Sequence, residues 1–534
     1  MAIPVIDIFA GPGGLGEGFT SIVNDDNERK FEIALSIEKE YYAHQTLTLR
    51  SFYRQFDLGE APEDYYRLLK GEITLEELYE RWPEQAQFAK NDAWLAELGD
   101  GENSISPEEV DTRIIQALDG EENWLLIGGP PCQAYSVVGR SRRQEKILDG
   151  KKDERVELYK QYLRILAVHN PSIFIMENVK GLLSAETEES PVFARILEDL
   201  KNPVASYELD YGENDEALAC PGYNVFSLTS RPLSFDIEGN PVNKHKDYII
   251  QSENFGIPQT RHRVILLGIR KGYEITPDVL QSQDEVPISD VLNGLPRLRS
   301  GLSKIQDLNE NWLNVVTQIA DTKLLSQVGS KVGDEIARQV NRLRLPQKGI
   351  GSNFIGYRNV SPTYNPDWFI DNRIGGVCNH QSRGHMESDL HRYFFASCFA
   401  KVKKKSPRLE DFPASLLPNH KNVQEGIKDK KFADRFRVQI LNKPSKTITS
   451  HISKDGHYYI HPDATQCRSL TVREAARIQS FPDNYYFCGP RTAQFVQVGN
   501  AVPPLLAKKI AIIVDDMFQQ IEEEVQETQL SETI

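Results

Sequence analysis

Residues 5–16 read Val-Ile-Asp-Ile-Phe-Ala-Gly-Pro-Gly-Gly-Leu-Gly, and this stretch decides the fold. Val5 to Phe9 is a short apolar run of the kind that forms a buried strand. Gly11, Gly13 and Gly16 follow in G-x-G-x-x-G spacing, with Gly14 between them, and a helix is expected from about Glu17. Glycine lets the backbone turn tightly and approach a ligand closely, while the start of a helix offers free N–H groups. Phe31 to Ile37 is a second strand, ending at Glu38, where a carboxylate binds ribose hydroxyls. The loop and the acid together indicate an adenosine-bearing cofactor. They leave NAD and S-adenosylmethionine undistinguished.

Working outward, Trp124 to Ile127 is a third strand, Pro171 to Met176 a fourth, and Val264 to Ile269 a further one. Between them, residues 153–169 space Leu158, Tyr162, Ile165 and Leu166 as one face of a helix. Strands alternating with helices over residues 1–270 predict an α/β fold with a doubly wound, mostly parallel sheet. A long acidic insertion interrupts it at about 55–122. Residues 271–455 lose the alternation and are rich in Asn, Arg, Lys, His and aromatics, so a second, irregular domain is expected there. Residues 456–534 regain helical patterning, with a long amphipathic helix around 504–518, and return to complete the first domain.

The chain has 534 residues, enough for two or three domains, and 40% hydrophobic content, ordinary for a folded protein. It has no apolar run of about eighteen residues, so no membrane span is expected. Its start lacks a basic region followed by an apolar stretch, and six scattered cysteines form no dense disulfide framework. Both point to a reducing cytoplasm. The net charge is −15, but its distribution says more than its sum. Residues 60–122 hold 18 acids and 5 bases, and the last twenty hold seven acids and no base. Residues 331–450 invert this, with 22 Lys or Arg against 11 Asp or Glu. One basic block inside an acidic chain is the electrostatic footprint of a polyanion-binding face.

Chemistry centres on residues 128–136, Gly-Gly-Pro-Pro-Cys-Gln-Ala-Tyr-Ser. They place Cys132 on a tight turn at a strand's carboxyl end, where ligands sit in open α/β sheets. A free cysteine is more often a small core residue. Here two prolines fix the backbone before the thiol, and a polar, Arg-bearing flap follows at 134–150. Glu177 also ends a strand, so thiol and carboxyl can converge. That pair suits covalent attack on an electron-poor ring with a proton supplied to its nitrogen. Arg261 and Arg263 in Gln259-Thr-Arg-His-Arg enter the sheet from one strand, costly to bury unless paired or bound to an anionic or carbonyl group.

With these residues in place the chain resembles the DNA cytosine-5 methyltransferases of bacterial restriction–modification systems. Six blocks stand in the family's order: Asp7-Ile-Phe-Ala-Gly-Pro-Gly-Gly-Leu, Gly129-Pro-Pro-Cys-Gln, Met176-Glu-Asn-Val, Gln259-Thr-Arg-His-Arg, Arg473-Glu-Ala-Ala-Arg-Ile-Gln-Ser-Phe-Pro-Asp, and Gln497-Val-Gly-Asn-Ala-Val-Pro-Pro. The resemblance implies an S-adenosylmethionine-dependent methyltransferase fold and a target-recognition domain at 271–455. It implies a cofactor site of Phe9, Gly11, Gly13, Gly14, Glu38, Pro131 and Asn500. Cys132 is then the nucleophile at C6 of cytosine, Glu177 the partner of N3 and the exocyclic amine, and Arg263 the partner of the O2 carbonyl, with Arg261 supporting. For the adenine amino group it offers Glu97 or Asp100.

The resemblance also implies extrusion of the base from duplex DNA, with Gln133, Ser136 and Arg140 on the flap against the backbone. Arg373, Arg383, His385 and Arg392 are candidate base readers. Cys378, His380, His385, His391 and Cys398 match no familiar zinc spacing, and no metal is expected. The expected partners are double-stranded DNA and a cognate restriction endonuclease, the expected state a monomer. Three rivals remain: a transfer-RNA cytosine-5 methyltransferase, an inert DNA-binding regulator of the same fold, and a nicotinamide-dependent oxidoreductase, which leaves Cys132 and Gln259 to Arg263 idle.

Overall fold

The computed structural model describes residues 2–99, 101–131, 154–184, 192–211, 218–358, 361–418, 423 and 434–532. Eight strands form the central sheet: β1 (Ile3–Ile8), β2 (Phe31–Glu38), β3 (Ala93–Leu95), β4 (Leu125–Gly128), β5 (Ile173–Val179), β6 (Tyr223–Ser227), β7 (Ile249–Gln251) and β8 (His262–Arg270). Their order is β3-β2-β1-β4-β5-β8-β6, with β7 pairing along the start of β8. The five strands from β3 to β5 run parallel, while β8 is antiparallel to both β5 and β6. From β1 the chain winds one way to β2 and β3; from β4 it winds the other way to β5. The order therefore reverses between β1 and β4, the place where such sheets bind ligands beyond their carboxyl ends.

Strands β1, β4 and β5 carry continuous apolar runs because helices cover both faces. Val5, Ile6, Ile8, Leu125, Leu126, Ile127 and Ile173 to Met176 are all fully buried. One face packs on the helices Gly14–Phe19 and Pro504–Glu532, the other on Pro107–Leu118, Glu154–His169 and Val192–Lys201. The C-terminal helix buries Leu506, Ile510, Val514, Met517 and Ile521 at helical spacing.

The stretch 55–122 is not one insertion. Helices Glu63–Leu69, Leu75–Arg81 and Pro83–Asp92 gather around Phe52, Tyr65, Tyr66, Leu69 and Leu78. Ala93–Leu95 then joins the central sheet as its edge strand, and Pro107–Leu118 covers the sheet through Val110, Ile114 and Leu118. A three-residue strand has no readable period, and the acids of this stretch lie largely on solvent-facing turns of helices whose apolar faces are buried.

Residues 271–455 carry more helix than their composition suggests. Asn309–Thr317, Ser330–Asn341 and Glu387–Lys403 pack a separate core that runs from Leu302 to Cys467. Ile275, Leu280, Val286, Ile288 and Val291 belong instead to the core of the central sheet.

Candidate active site at the carboxyl ends of the central strands

The glycine loop leaves β1 through Phe9, half-buried with φ of 56°, and Gly11, φ 58°. Gly11 donates its N–H to Glu38 Oε2 at 2.7 Å, and Glu38 Oε1 accepts from the Glu40 N–H at 2.7 Å. Burial pushes the Glu38 carboxyl upward against these two donors. The glycines have different causes. A side chain at Gly14 would meet the Val502 carbonyl oxygen at 2.2 Å, and one at Gly13 would meet Leu47 at 2.8 Å, so both serve close packing. A Cβ on Gly11 would touch nothing within 4 Å: the backbone there faces open space. A loop open at Gly11, with a carboxylate held beside it at the switch point, fits a nucleoside-bearing cofactor.

Beneath the loop, Tyr485 donates its hydroxyl to the Pro12 carbonyl. Glu17, on the first helix, is clasped by Arg50 Nε at 2.9 Å and Arg54 Nη2 at 3.0 Å. Burial raises its carboxyl, but the two guanidinium groups overcome this and hold it at about 2. Asp7 joins the site without having been singled out by its motif, although an acid inside an apolar strand is itself a signal. It is buried, its Oδ1 has no hydrogen-bond partner among the described residues, and burial pushes it up to about 8.

Beyond β4 and β5, Glu177 Oε1 and Arg263 Nε form an ion pair at 2.7 Å, both side chains partly open to solvent. The antiparallel register of β8 on β5, Arg263 opposite Val179 and Ile265 opposite Glu177, brings them together. A Cβ on Gly129 would lie 3.1 Å from Glu177 Oε2, so glycine at the end of β4 is what lets the carboxylate approach that turn. Asn178 Nδ2 donates to the Pro130 carbonyl at 3.3 Å, while its Oδ1 accepts from the Val179 N–H at 2.8 Å. The turn is thereby fixed up to Pro131, which is exposed. Cys132, Gln133, Ser136 and Arg140 lie outside the described residues, as does Asp100.

Arg261 is a strut. It is 1% exposed and donates to the carbonyls of Ile448 at 2.9 Å, Gly499 at 3.2 Å and Asn500 at 3.4 Å. Two of these end the helix Arg491–Asn500, where a cation suits the exposed carbonyls. Burial pushes its guanidinium down to about 9. Asn500 itself is exposed at that helix end. Beside the strut runs a chain of amides. Gln259 donates to Gln479 and accepts from the Ile448 N–H at 3.1 Å, and Gln479 donates to the Val498 carbonyl at 2.6 Å.

The block Arg473 to Asp483 has a structural cause as well. Arg473 donates to the carbonyls of Cys378, Pro482 and Tyr485 at 3.0, 3.0 and 2.8 Å. Arg477 binds Asp483 through two N–H groups at 3.0 and 2.6 Å. Both arginines are fully buried.

The candidate base readers fare unequally. Arg373 keeps a third of its side chain exposed, lies 4.3 Å over the Tyr66 ring and donates to the Gly59 carbonyl at 2.7 Å. Arg383 donates to the Ile452 carbonyl at 2.7 Å and stacks on Phe495 at 4.6 Å. Arg392 donates to Leu416 O and Asp389 Oδ1, both at 2.7 Å. His385 is buried against Ser469 and Tyr393. The last three are taken up by the protein's own packing. Of the cysteine–histidine set, His380 bonds Thr471 and the Pro296 carbonyl, Cys378 is buried against Leu69, and no metal-holding cluster exists among the described residues. Glu97 pairs with Lys39 at 3.0 Å.

Residues 90–212 and 244–514 match the family model of the C-5 cytosine-specific DNA methylases. The type II methyltransferase M.Bpa9945I of Bacillus paralicheniformis is 33% identical over 96% of this chain and 99% of its own length. M.AgeI of Thalassovita gelatinovora, also a type II methyltransferase, is 25% identical over 95% and 97%. The DNA (cytosine-5-)-methyltransferase M.ApeKI of Aeropyrum pernix is 25% identical over 76% and 83%. With the glycine loop, the prolines before Cys132 and the Glu177–Arg263 pair assembled on one sheet edge, these matches place the chain in the C-5 cytosine-specific DNA methylase family.

Proposed function

We propose that this family member methylates C5 of a cytosine within a specific duplex DNA sequence, with Cys132 as nucleophile and S-adenosyl-L-methionine as donor. The observation that carries the reading is the Glu177–Arg263 pair at 2.7 Å, set beside the turn at Gly129 and Pro130 that precedes Cys132 in the sequence. Phe9, Gly11, Glu38, Pro131 and Asn500, on a loop that Gly13 and Gly14 let pack closely, would hold S-adenosylmethionine, which would supply an activated methyl group. C5 of cytosine is a weak nucleophile until the Cys132 thiolate adds to C6. Glu177 hydrogen-bonds N3 and the exocyclic amine as that bond forms, and Arg263 orients Glu177 and holds the O2 carbonyl. C5 takes the methyl group as the methyl–sulfonium bond breaks and leaves S-adenosylhomocysteine; solvent then accepts the C5 proton, and the electrons of that C–H bond expel the Cys132 sulfur from C6 as thiolate and restore the ring.

The target base is buried in the stack, so it has to be extruded into the pocket. The flap carrying Gln133, Ser136 and Arg140 closes against the backbone in this reading, and Arg373 is the candidate reader with its side chain most exposed. Residues 1–270 and 456–534 supply most of the catalytic domain and 271–455 most of the recognition domain, with Ile275 to Val291 packed on the central sheet and Ile460 to Cys467 on the second core. The enzyme acts in the cytoplasm as a monomer and protects DNA from an endonuclease of the same specificity.

Duplexes containing 5-fluorocytosine, incubated with S-adenosylmethionine, test the reaction class and the nucleophile together. A stable adduct at Cys132, lost in Cys132→Ser, is expected. Methyl transfer to transfer RNA but not to duplex DNA would replace this reading with the RNA one.

A further inference from the structure

Outside the active site, positive charge gathers in a groove of about 640 Å³. Lys404, Lys405, Arg408, Lys443 and Lys446 line it together with Arg437; among the described residues the acids that line it are Glu285 and Asp434. The cations come from two separate stretches: the segment following the helix Glu387–Lys403, and residues 437–446. Neighbouring cations have partners: Lys401 pairs with Glu335 at 3.0 Å, and Arg437 pairs with Asp434. Among the described residues the other five make no ion pair. The helix C-terminus favours Lys404 and Lys405. It does nothing for Lys443 and Lys446, which reach the groove from elsewhere. Like charges gathered in a cleft focus a positive potential that a polyanion relieves.

The groove also touches the catalytic strand. Thr260 lines it, and Gln259–Thr260 pairs in parallel with Ser445–Lys446. Arg263 lies three positions beyond Thr260, at most about 10 Å of chain. Phosphates on one DNA strand are spaced at about 3.4 Å along the axis, so that distance spans roughly three of them.

We propose that this groove is a sequence-independent clamp for the sugar–phosphate backbone of the duplex flanking the target cytosine. The proposal rests on the reading of the chain as an enzyme acting on duplex DNA. Lys404, Lys405 and Lys443 are exposed, so their exchange leaves the packing intact. The test compares the full chain with the triple variants Lys404→Gln/Lys405→Gln/Lys443→Gln and Lys404→Arg/Lys405→Arg/Lys443→Arg. Affinity for cognate and unrelated duplexes is measured as a function of salt.

In the glutamine variant, affinity for both duplexes is expected to fall by the same factor, about tenfold or more. The slope of log K against log salt should shrink by about 2–3, close to one for each phosphate no longer neutralised. The arginine variant is expected to keep the wild-type slope, and all three proteins to methylate the same sites and bind S-adenosylmethionine equally. An unchanged slope in the glutamine variant, with wild-type methyl transfer to DNA intact, overturns the clamp alone. So does a changed set of methylated sites, which would make the groove a sequence reader. A wild-type protein that neither binds nor methylates duplex DNA overturns the functional reading as well.

Discussion

Arg261 and Arg263 stand two positions apart on one extended segment, yet Arg261 is 1% exposed while Arg263 meets Glu177 with part of its side chain open to solvent. The difference predicts opposite phenotypes. Arg261→Leu strands the carbonyls of Ile448, Gly499 and Asn500, at about 1–3 kcal/mol for each group left buried without a donor. It should lower the melting temperature by several degrees in a thermal scan. Arg263→Leu should leave the melt close to wild type and lower kcat by about 10²-fold or more, as expected for an oriented charge at a reacting site. Glu177→Gln keeps the shape and removes the proton function, and single-turnover methyl transfer should slow by about 10²–10⁴-fold. The pairing of Glu177 with Arg263 is legible in the sequence because strand ends announce both residues. The burial of Arg261 is not, because its partners lie 187 to 239 positions away.

The element that joins β1 to its helix separates two meanings of glycine. Gly14→Ala drives a methyl group to within 2.2 Å of the Val502 carbonyl oxygen, a backbone atom that cannot step aside. Overpacking of this kind costs about 1–3 kcal/mol, so a urea titration should show a lower midpoint. Gly11→Ala meets no atom but forces a side chain onto φ of 58°, a strain of about 1 kcal/mol. It should spare most of the stability and raise the dissociation constant for S-adenosylmethionine, measured by calorimetry. The G-x-G-x-x-G spacing is plain in the sequence, while the division of labour within it depends on Val502 and Leu47, neither of them local. The edge strand Ala93–Leu95 is hidden from the sequence for a related reason: three residues carry no period, and their pairing with β2 is purely tertiary.

Across the whole molecule, buried polar groups tie residues 271–455 to the C-terminal part of the chain. His380 donates from Nε2 to the Pro296 carbonyl at 2.8 Å, and its Nδ1 accepts from the Thr471 hydroxyl at 2.9 Å, a hydroxyl that already accepts from the Glu474 N–H. Both ring nitrogens are thus satisfied in the neutral form, and burial pushes His380 down to about 4. Its unfolded counterpart takes up a proton near pH 6.5. The unfolded state therefore binds more protons between pH 6.5 and 4, and stability falls as pH drops through that window. The contribution is up to about 3 kcal/mol. The stability difference between wild type and His380→Gln, followed by urea unfolding from pH 7.5 to 4, should shift toward the variant as pH falls. A difference independent of pH would mean that His380 titrates alike folded and unfolded.

The helices between residues 63 and 92 join the same network, since Tyr66 donates to Asp371 at 2.9 Å and Arg373 to the Gly59 carbonyl at 2.7 Å. What composition presented as an acidic insertion is packed against residues 371–378.

By itself the sequence determined the family. Strand endings, a glycine spacing, a proline-fixed thiol and a carboxyl at the end of a neighbouring strand are local patterns, and local patterns are written in consecutive residues. Only the tertiary structure decided which charged groups face a ligand and which hold the fold. Whether a guanidinium is buried depends on carbonyls and carboxylates that distant segments bring to it, and no run of neighbouring residues encodes them.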